Sequence, residues 1–109
     1  MVHQRHQVRR AVAHYAGVDE AALPWGIDGC SAPNYALPLA NLAYAYARLA
    51  GDEADAEYGV AARTLADAMT AYPEMISGEG RSDLALATAG RGDLVAKVGA
   101  EGVQAIGVR

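Results

Sequence analysis

The longest apolar run of the chain, residues 35–50, constrains its fold more than any other feature. Arg48 is the only charged side chain in this run, and alanine recurs throughout it. A helix that is apolar nearly all round is buried on most of its sides. We therefore expect residues 35–50 to form a helix that needs cover from several neighbouring elements.

A chain of 109 residues allows only a modest core. We predict one domain over residues 1–109. Hydrophobic residues make up 52% of the chain, but many are alanine and there is no Phe. Small side chains bury little apolar area, so the margin over chain entropy is thin. We expect uncovered apolar faces to drive association, either as a homo-oligomer or with another segment.

The charge pattern bears on partners and location. The net charge is −4 and the basic residues are scattered, which predicts no nucleic-acid partner. No apolar run approaches the roughly 18 residues needed to cross a bilayer, and the N-terminus lacks a secretion signal, so we expect no membrane role. A single cysteine cannot form an internal disulfide, which suits a reducing compartment. We predict a cytoplasmic protein.

Hydrophobic periodicity predicts the fold class. Apolar residues three and four apart indicate helices, and Gly17, Gly51 and Pro73 are placed to separate them. Two apolar runs near the C-terminus flank a turn rich in glycine, which indicates a hairpin. The predicted helices are residues 3–16, 35–50, 53–71 and 82–89, and the predicted strands are 94–98 and 103–108. The sequence predicts an α+β fold, mostly helical with a C-terminal antiparallel β-hairpin.

Residues 26–34 form the first candidate site, a turn that we place between two helices, with Ser31 or Asn34 capping the second. Cys30 follows Asp28 by two residues, so both side chains could converge on one ligand or metal. A thiolate is a strong zinc ligand. A closed zinc site needs three or four ligands, however, and spacing alone favours a buried, inert cysteine.

Lys97, the only lysine, is the second candidate. In the middle of an apolar strand it could orient a serine, neutralise a carboxylate or act as a base when desolvated. The alternative is an ordinary lysine that faces solvent. A Ser-x-x-Lys pair is absent, because Leu94 stands three residues before Lys97. By its motifs alone the chain is not a complete enzyme.

Longer motifs suggest a family. They are Asp-Gly-Cys-Ser-Ala-Pro-Asn at residues 28–34, Pro-Glu-Met-Ile-Ser-Gly-Glu-Gly-Arg-Ser-Asp at 73–83, Gly-Arg-Gly-Asp at 90–93 and Lys-Val-Gly-Ala-Glu-Gly-Val at 97–103. Together they resemble the bacterial L-asparaginase II family, whose fold is related to serine β-lactamases and glutaminases. The resemblance implies a β-lactamase-like fold and hydrolysis of L-asparagine to L-aspartate and ammonia by a serine nucleophile.

The resemblance also implies roles for single residues. Cys30 resembles a zinc-ligating cysteine of the family, and Asp28 resembles an aspartate in its metal and substrate region. Lys97 resembles the lysine of a second Ser–Lys pair that assists the nucleophile. The implied cofactor is therefore zinc, with an incomplete set of ligands in this chain.

Another loop resembles the family without an implied role. It contains Glu79, Arg81 and Asp83, for which helix capping and ion pairing are the physical alternatives.

The departures from the family are equally clear. Its members are longer, and their Ser-x-x-Lys segment precedes the part matched here, so we expect an internal block that lacks the nucleophile. One alternative is a non-catalytic helical module that binds a metal or a partner. Another is a related glutaminase, because the pocket for the substrate side chain is not identifiable in this sequence.

Overall fold

The computed structural model describes residues 2–51 and 54–109, and its α+β class confirms the prediction. The chain divides into two compact units, Met1–Ala45 and Tyr46–Arg109. The elements are α1 (Val2–Ala16), β1 (Trp25–Ile27), β2 (Pro33–Tyr35), α2 (Leu39–Ala50), α3 (Gly59–Ala71), α4 (Ser82–Ala89), β3 (Leu94–Gly99) and β4 (Val103–Val108), with single 3₁₀ turns at Glu20–Ala22, Pro73–Met75 and Ala100–Gly102.

In the first unit, α1 ends where it was predicted to end. Gly17 follows with φ of 67°, a left-handed conformation that glycine adopts at little cost. The Asn41 side chain donates a hydrogen bond of 2.9 Å to the carbonyl of Ala16 and so covers the end of the helix. Ala13, Ala16 and Leu23 are buried nearby in the same unit.

The predicted turn between two helices is wrong, because residues 25–35 form a hairpin. Strands β1 and β2 pair antiparallel, with Trp25 opposite Tyr35 and Ile27 opposite Pro33. Short strands of this kind carry too few residues to show a clear alternation in sequence. A proline is also compatible with an edge strand, and β2 has only one partner strand.

Helix α2 begins at Leu39 rather than at residue 35, so neither Ser31 nor Asn34 caps it. Pro38 explains this start, because a proline disfavours the helical conformation in the residue before it. The carbonyl of Pro38 accepts the N–H groups of the first helical turn instead. Most of this apolar helix lacks the cover that it needs: Ala50 is its one fully buried residue, and Leu39 is 76% exposed.

In the second unit, α3 begins at Gly59, and the predicted start at Glu53 lies outside the described residues. The carboxylate of Asp55 accepts hydrogen bonds from the N–H groups of Glu57 and Tyr58. These bonds hold a turn just before the helix. The predicted end before Pro73 is confirmed, since α3 stops at Ala71.

The predicted C-terminal hairpin is confirmed. Strands β3 and β4 pair antiparallel from Leu94 opposite Val108 to Gly99 opposite Val103. Both α3 and α4 contact β3, so consecutive strand residues Val95 and Ala96 are buried instead of alternating with exposed ones. The core of this unit consists of Ala50, Ala66, Met69 and Val95.

Within the described ranges, no helix is long and apolar enough to span a membrane. The cytoplasmic location, the single domain over residues 1–109 and the β-lactamase-like fold stay predictions.

Candidate functional site

The first candidate site is the tip of the β1–β2 hairpin, residues 28–32, which we call the Asp28 loop. The N–H of Asp28 donates to the carbonyl of Ala32 at 3.0 Å, and the N–H of Ser31 donates to the carbonyl of Asp28 at 3.0 Å. Ser31 has φ of 60°, in the left-handed region. A turn followed by a left-handed residue is a common way to close a short hairpin.

The side chain of Asp28 organises this loop. Its Oδ1 atom accepts the N–H of Cys30 at 2.9 Å and the N–H of Ala32 at 3.1 Å. An aspartate that bonds to its own backbone two residues on is typical of tight turns. The prediction that Cys30 is buried is wrong: Cys30 is exposed, like the other residues of the loop and the end of β1 from which the loop extends.

The loop by itself does not fit the predicted zinc ion. A structural zinc site takes four ligands and a catalytic site takes three plus water. In residues 2–51 and 54–109, no group of three or more His, Cys, Asp or Glu side chains is placed to hold a metal. The Oδ1 atom of Asp28 also already accepts hydrogen bonds from the backbone of the loop. A zinc ion would need ligands beyond Cys30 and Asp28, and its presence stays a prediction.

Lys97 belongs to the second unit, whereas Asp28 and Cys30 belong to the first. It lies in β3 opposite Ala105, and its side chain is half-buried. The Nζ atom donates a hydrogen bond of 2.6 Å to the carbonyl of Val98. The ammonium group is therefore engaged with the protein, unlike that of a freely solvated surface lysine.

Asp83 is a residue near Lys97 for which the sequence suggested only helix capping or ion pairing. It lies in the first turn of α4 and is only 2% exposed. Its Oδ2 atom accepts the N–H of Val98 at 3.0 Å, and its Oδ1 atom accepts the N–H of Leu84 at 3.0 Å. The bond from Val98 joins the start of α4 to β3.

Several groups act on the pKa of Asp83. Burial raises it, but hydrogen bonds and the positive charge of Lys97 lower it by more, so the pKa lies below its ordinary value of 3.8. The hydrogen bonds come from the N–H groups of Val98 and Leu84, and the Ser77 hydroxyl adds to their effect. The Ser77 hydroxyl is buried and has no bond of standard geometry, yet it is close enough to contribute. Asp83 is therefore ionised at neutral pH.

We call Ser77, Asp83, Lys97 and Val98 the Asp83 cluster. The start of α4 has a second link to the hairpin, because the Ser82 hydroxyl lies 2.7 Å from Oε1 of Gln104, the residue opposite Val98. Two adjacent residues of the helix thus contact both strands. The sequence does not reveal that Asp83 lies near Lys97, since the two residues are far apart along the chain.

These features define a small α+β protein in which a strand lysine and a buried helix carboxylate are both hydrogen-bonded to the backbone of Val98. The family model for L-asparaginase II matches residues 2–109. The chain belongs to the L-asparaginase II family, and the resemblance seen in the motifs is confirmed. A search of curated proteins finds no match to the chain.

Proposed function

We propose that this chain takes part in the hydrolysis of L-asparagine to L-aspartate and ammonia, with Lys97 as its proton-transferring residue. The observation that carries the proposal is the family match, which extends over residues 2–109 and therefore includes every candidate residue. The half-buried position of Lys97 supports its role, because a lysine that works in catalysis is partly removed from water.

The proposed reaction is acyl transfer in two steps. A serine hydroxyl attacks the side-chain amide carbon of asparagine, the carbon–nitrogen bond breaks, and ammonia leaves. Water then attacks the aspartyl ester, which releases L-aspartate and restores the serine. No Ser-x-x-Lys pair occurs in the 109 residues, so we propose that the nucleophile comes from a segment outside them.

Lys97 has a defined task in this scheme. The Lys97 ammonium can give a proton to the leaving nitrogen, and the neutral amine that remains can take the proton lost by the serine. Nζ is already oriented by the Val98 carbonyl, which limits the motion of an otherwise flexible side chain. The same group can return a proton to the serine when the ester is hydrolysed.

Asp28 is the proposed substrate-binding residue. Its exposed carboxylate carries the charge opposite to that of the α-ammonium group of asparagine. Oδ1 is used by the loop, so the contact to substrate falls to Oδ2. Cys30 stays a proposed zinc ligand, and no step of the reaction depends on it.

The experiment measures ammonia released from L-asparagine and, separately, from L-glutamine. The chain is assayed alone and mixed with a Ser-x-x-Lys segment from a longer member of the family. We expect ammonia from asparagine in the mixture, and a loss of about a hundredfold or more in Lys97→Ala. Asp28→Asn should raise KM with little change in kcat.

Arg91→Gln is the matched control, because it removes an exposed positive charge just before the same strand. It should retain the wild-type rate. An active mixture in which Lys97→Ala is as fast as wild type would contradict the role of Lys97. Zinc binding by a folded chain with no hydrolysis in any mixture would instead favour the non-catalytic module, and glutamine turnover above asparagine turnover would favour a glutaminase.

A further inference from the structure

Val98 links an acid and a base through its own backbone. Its N–H donates to Oδ2 of Asp83 at 3.0 Å, and its carbonyl accepts a hydrogen bond from Nζ of Lys97 at 2.6 Å. The N–H and carbonyl of one strand residue point to the same side of the strand. Both backbone groups at this point of β3 are therefore satisfied by charged side chains.

Burial makes the carboxylate of this arrangement costly. Asp83 is 2% exposed, and a buried charge is tolerated only when hydrogen bonds and an opposite charge compensate for the lost water. Its two backbone hydrogen bonds and the nearby charge of Lys97 supply that compensation. A simple helix cap would not need burial, because an exposed aspartate caps a first turn as well.

We propose that Asp83 is a positioning residue for Lys97, which it holds by fixing Val98, the residue whose carbonyl accepts the Lys97 ammonium. The ammonium group of a lysine ends a flexible chain of four carbons, which has many conformations in water. Fixing the acceptor confines Nζ to a small region beside β3. The positioning itself is independent of activity, whereas its value for hydrolysis rests on the proposed function.

The chain is well suited to a direct test, because Lys97 is its only lysine. A short pulse of acetic anhydride labels free amines, and cleavage after arginine then releases residues 92–109 with Lys97 and residues 1–5 with the α-amino group. The ratio of acetylation in the two peptides measures the reactivity of Lys97 against an internal reference.

We expect Asp83→Asn to raise this ratio about threefold or more, because the amine loses both a fixed acceptor and a neighbouring negative charge. Asp83→Glu keeps the charge and should stay within about twofold of wild type. Glu79→Gln, which removes an exposed carboxylate from the preceding loop, should leave the ratio unchanged. A wild-type ratio in folded Asp83→Asn would overturn the proposal.

A second measurement uses the wild-type chain and does not depend on the folding of any variant. Magnetic resonance detects coupling across hydrogen bonds, from the Val98 amide to the Asp83 carboxylate and from the Lys97 ammonium to the Val98 carbonyl. Both couplings are expected. A freely rotating Lys97 ammonium with no coupling to Val98 would also overturn the proposal.

Activity separates this inference from the proposed function. In an active mixture, Asp83→Asn should lower kcat about tenfold with KM unchanged, less than the loss in Lys97→Ala. An unchanged kcat would contradict positioning for catalysis. If the mixture has no activity but the acetylation ratio rises in Asp83→Asn, the positioning stands and the proposed function fails.

Discussion

The two hairpins of this protein hold their candidate residues in different ways. Hairpin β1–β2 has strands of three residues, all of β1 is exposed, and the Asp28 loop at its tip is held by hydrogen bonds within residues 28–32. Hairpin β3–β4 has strands of six residues, with Val95 fully buried. Its candidate lysine is oriented next to a helix carboxylate that lies fourteen positions earlier in the chain.

The comparison shows which interactions hold each candidate site in its conformation. The Asp28 loop depends on bonds between near neighbours, so it should withstand changes elsewhere in its unit. The Asp83 cluster depends on the packing of α3 and α4 against β3. Changes that loosen that packing should move Lys97 even when they lie far from it in sequence.

The largest effect that we predict tests the packing of the second hairpin. A Cβ atom at Gly107 would lie 2.5 Å from the carbonyl oxygen of Tyr46 and 2.6 Å from Cβ of Ala50. Because α2 and β4 are this close, Gly107→Ala should reduce the free energy of unfolding by about 2 to 3 kcal/mol. Urea unfolding followed by circular dichroism measures the change.

Gly26→Ala is the matched control, because Gly26 lies in the middle of a strand in the other hairpin. A Cβ atom there would meet nothing within 4 Å. We expect a change of about 0.5 kcal/mol or less, or a slight gain from reduced entropy of the unfolded chain. Equal losses in both variants would mean that the two hairpins do not differ in packing.

The second prediction concerns Asp83 and pH. Asp83→Asn should cost about 2 kcal/mol at neutral pH, because a buried acceptor of hydrogen bonds is weakened. The pKa of Asp83 is lower in the folded chain than its ordinary 3.8, so the folded state binds the proton less readily. The stability that Asp83 contributes is therefore present above pH 3.8 and is lost as the pH falls below it.

The measurement is urea unfolding of wild type and Asp83→Asn between neutral pH and acid. The two free energies should converge as the pH falls through the region where Asp83 becomes protonated. Glu79→Gln, which removes one exposed charge of the same sign, controls for net charge. If the free energies of unfolding of wild type and Asp83→Asn differed by the same amount at every pH, the ionised carboxylate of Asp83 would not be the source of the stability.

The sequence predicts the parts of the fold that depend on strong local signals. Gly17 and Pro73 end helices where expected, and the β3–β4 hairpin follows from two apolar runs around glycines. Hairpin β1–β2 was missed because three-residue strands show too little periodicity, and because Ser31 and Asn34 suggested the cap of a helix.

The candidate site follows the same division. Cys30, Asp28 and Lys97 stand out in sequence as a lone thiol, a nearby carboxylate and a lone lysine. Asp83 does not, because its importance depends on burial and on a contact with Val98 that only the folded chain creates. The resemblance to a family loop named Asp83 together with Glu79 and Arg81 but did not single it out.

The third prediction tests the local order of the Asp28 loop. Asp28→Ala removes the acceptor of two backbone hydrogen bonds, from Cys30 and Ala32. Because the loop is exposed, the expected loss of stability is only about 1 kcal/mol. Hydrogen exchange at these two amides should quicken, whereas exchange in β3 should stay as in wild type. The amide oxygen of Asn can accept both bonds but carries no full charge, so Asp28→Asn should fall between wild type and Asp28→Ala. Faster exchange in β3 would show that the loop is not locally determined.

The smallest effect compares the two hairpin loops directly. Each loop contains one residue other than glycine in the left-handed region, Ser31 with φ of 60° and Glu101 with φ of 61°. Glycine has no Cβ penalty there, but it loses more entropy on folding, so each substitution by glycine should gain about 0.5 kcal/mol. Backbone strain is local, and Ser31→Gly and Glu101→Gly should therefore gain alike in urea unfolding, although one loop is exposed on short strands and the other joins packed ones. A gain in Glu101→Gly alone would mean that the hydrogen bonds of the Asp28 loop already compensate for the strain at Ser31. The bonds to the Asp28 side chain, rather than the backbone preference of Ser31, would then determine the conformation of the first candidate site.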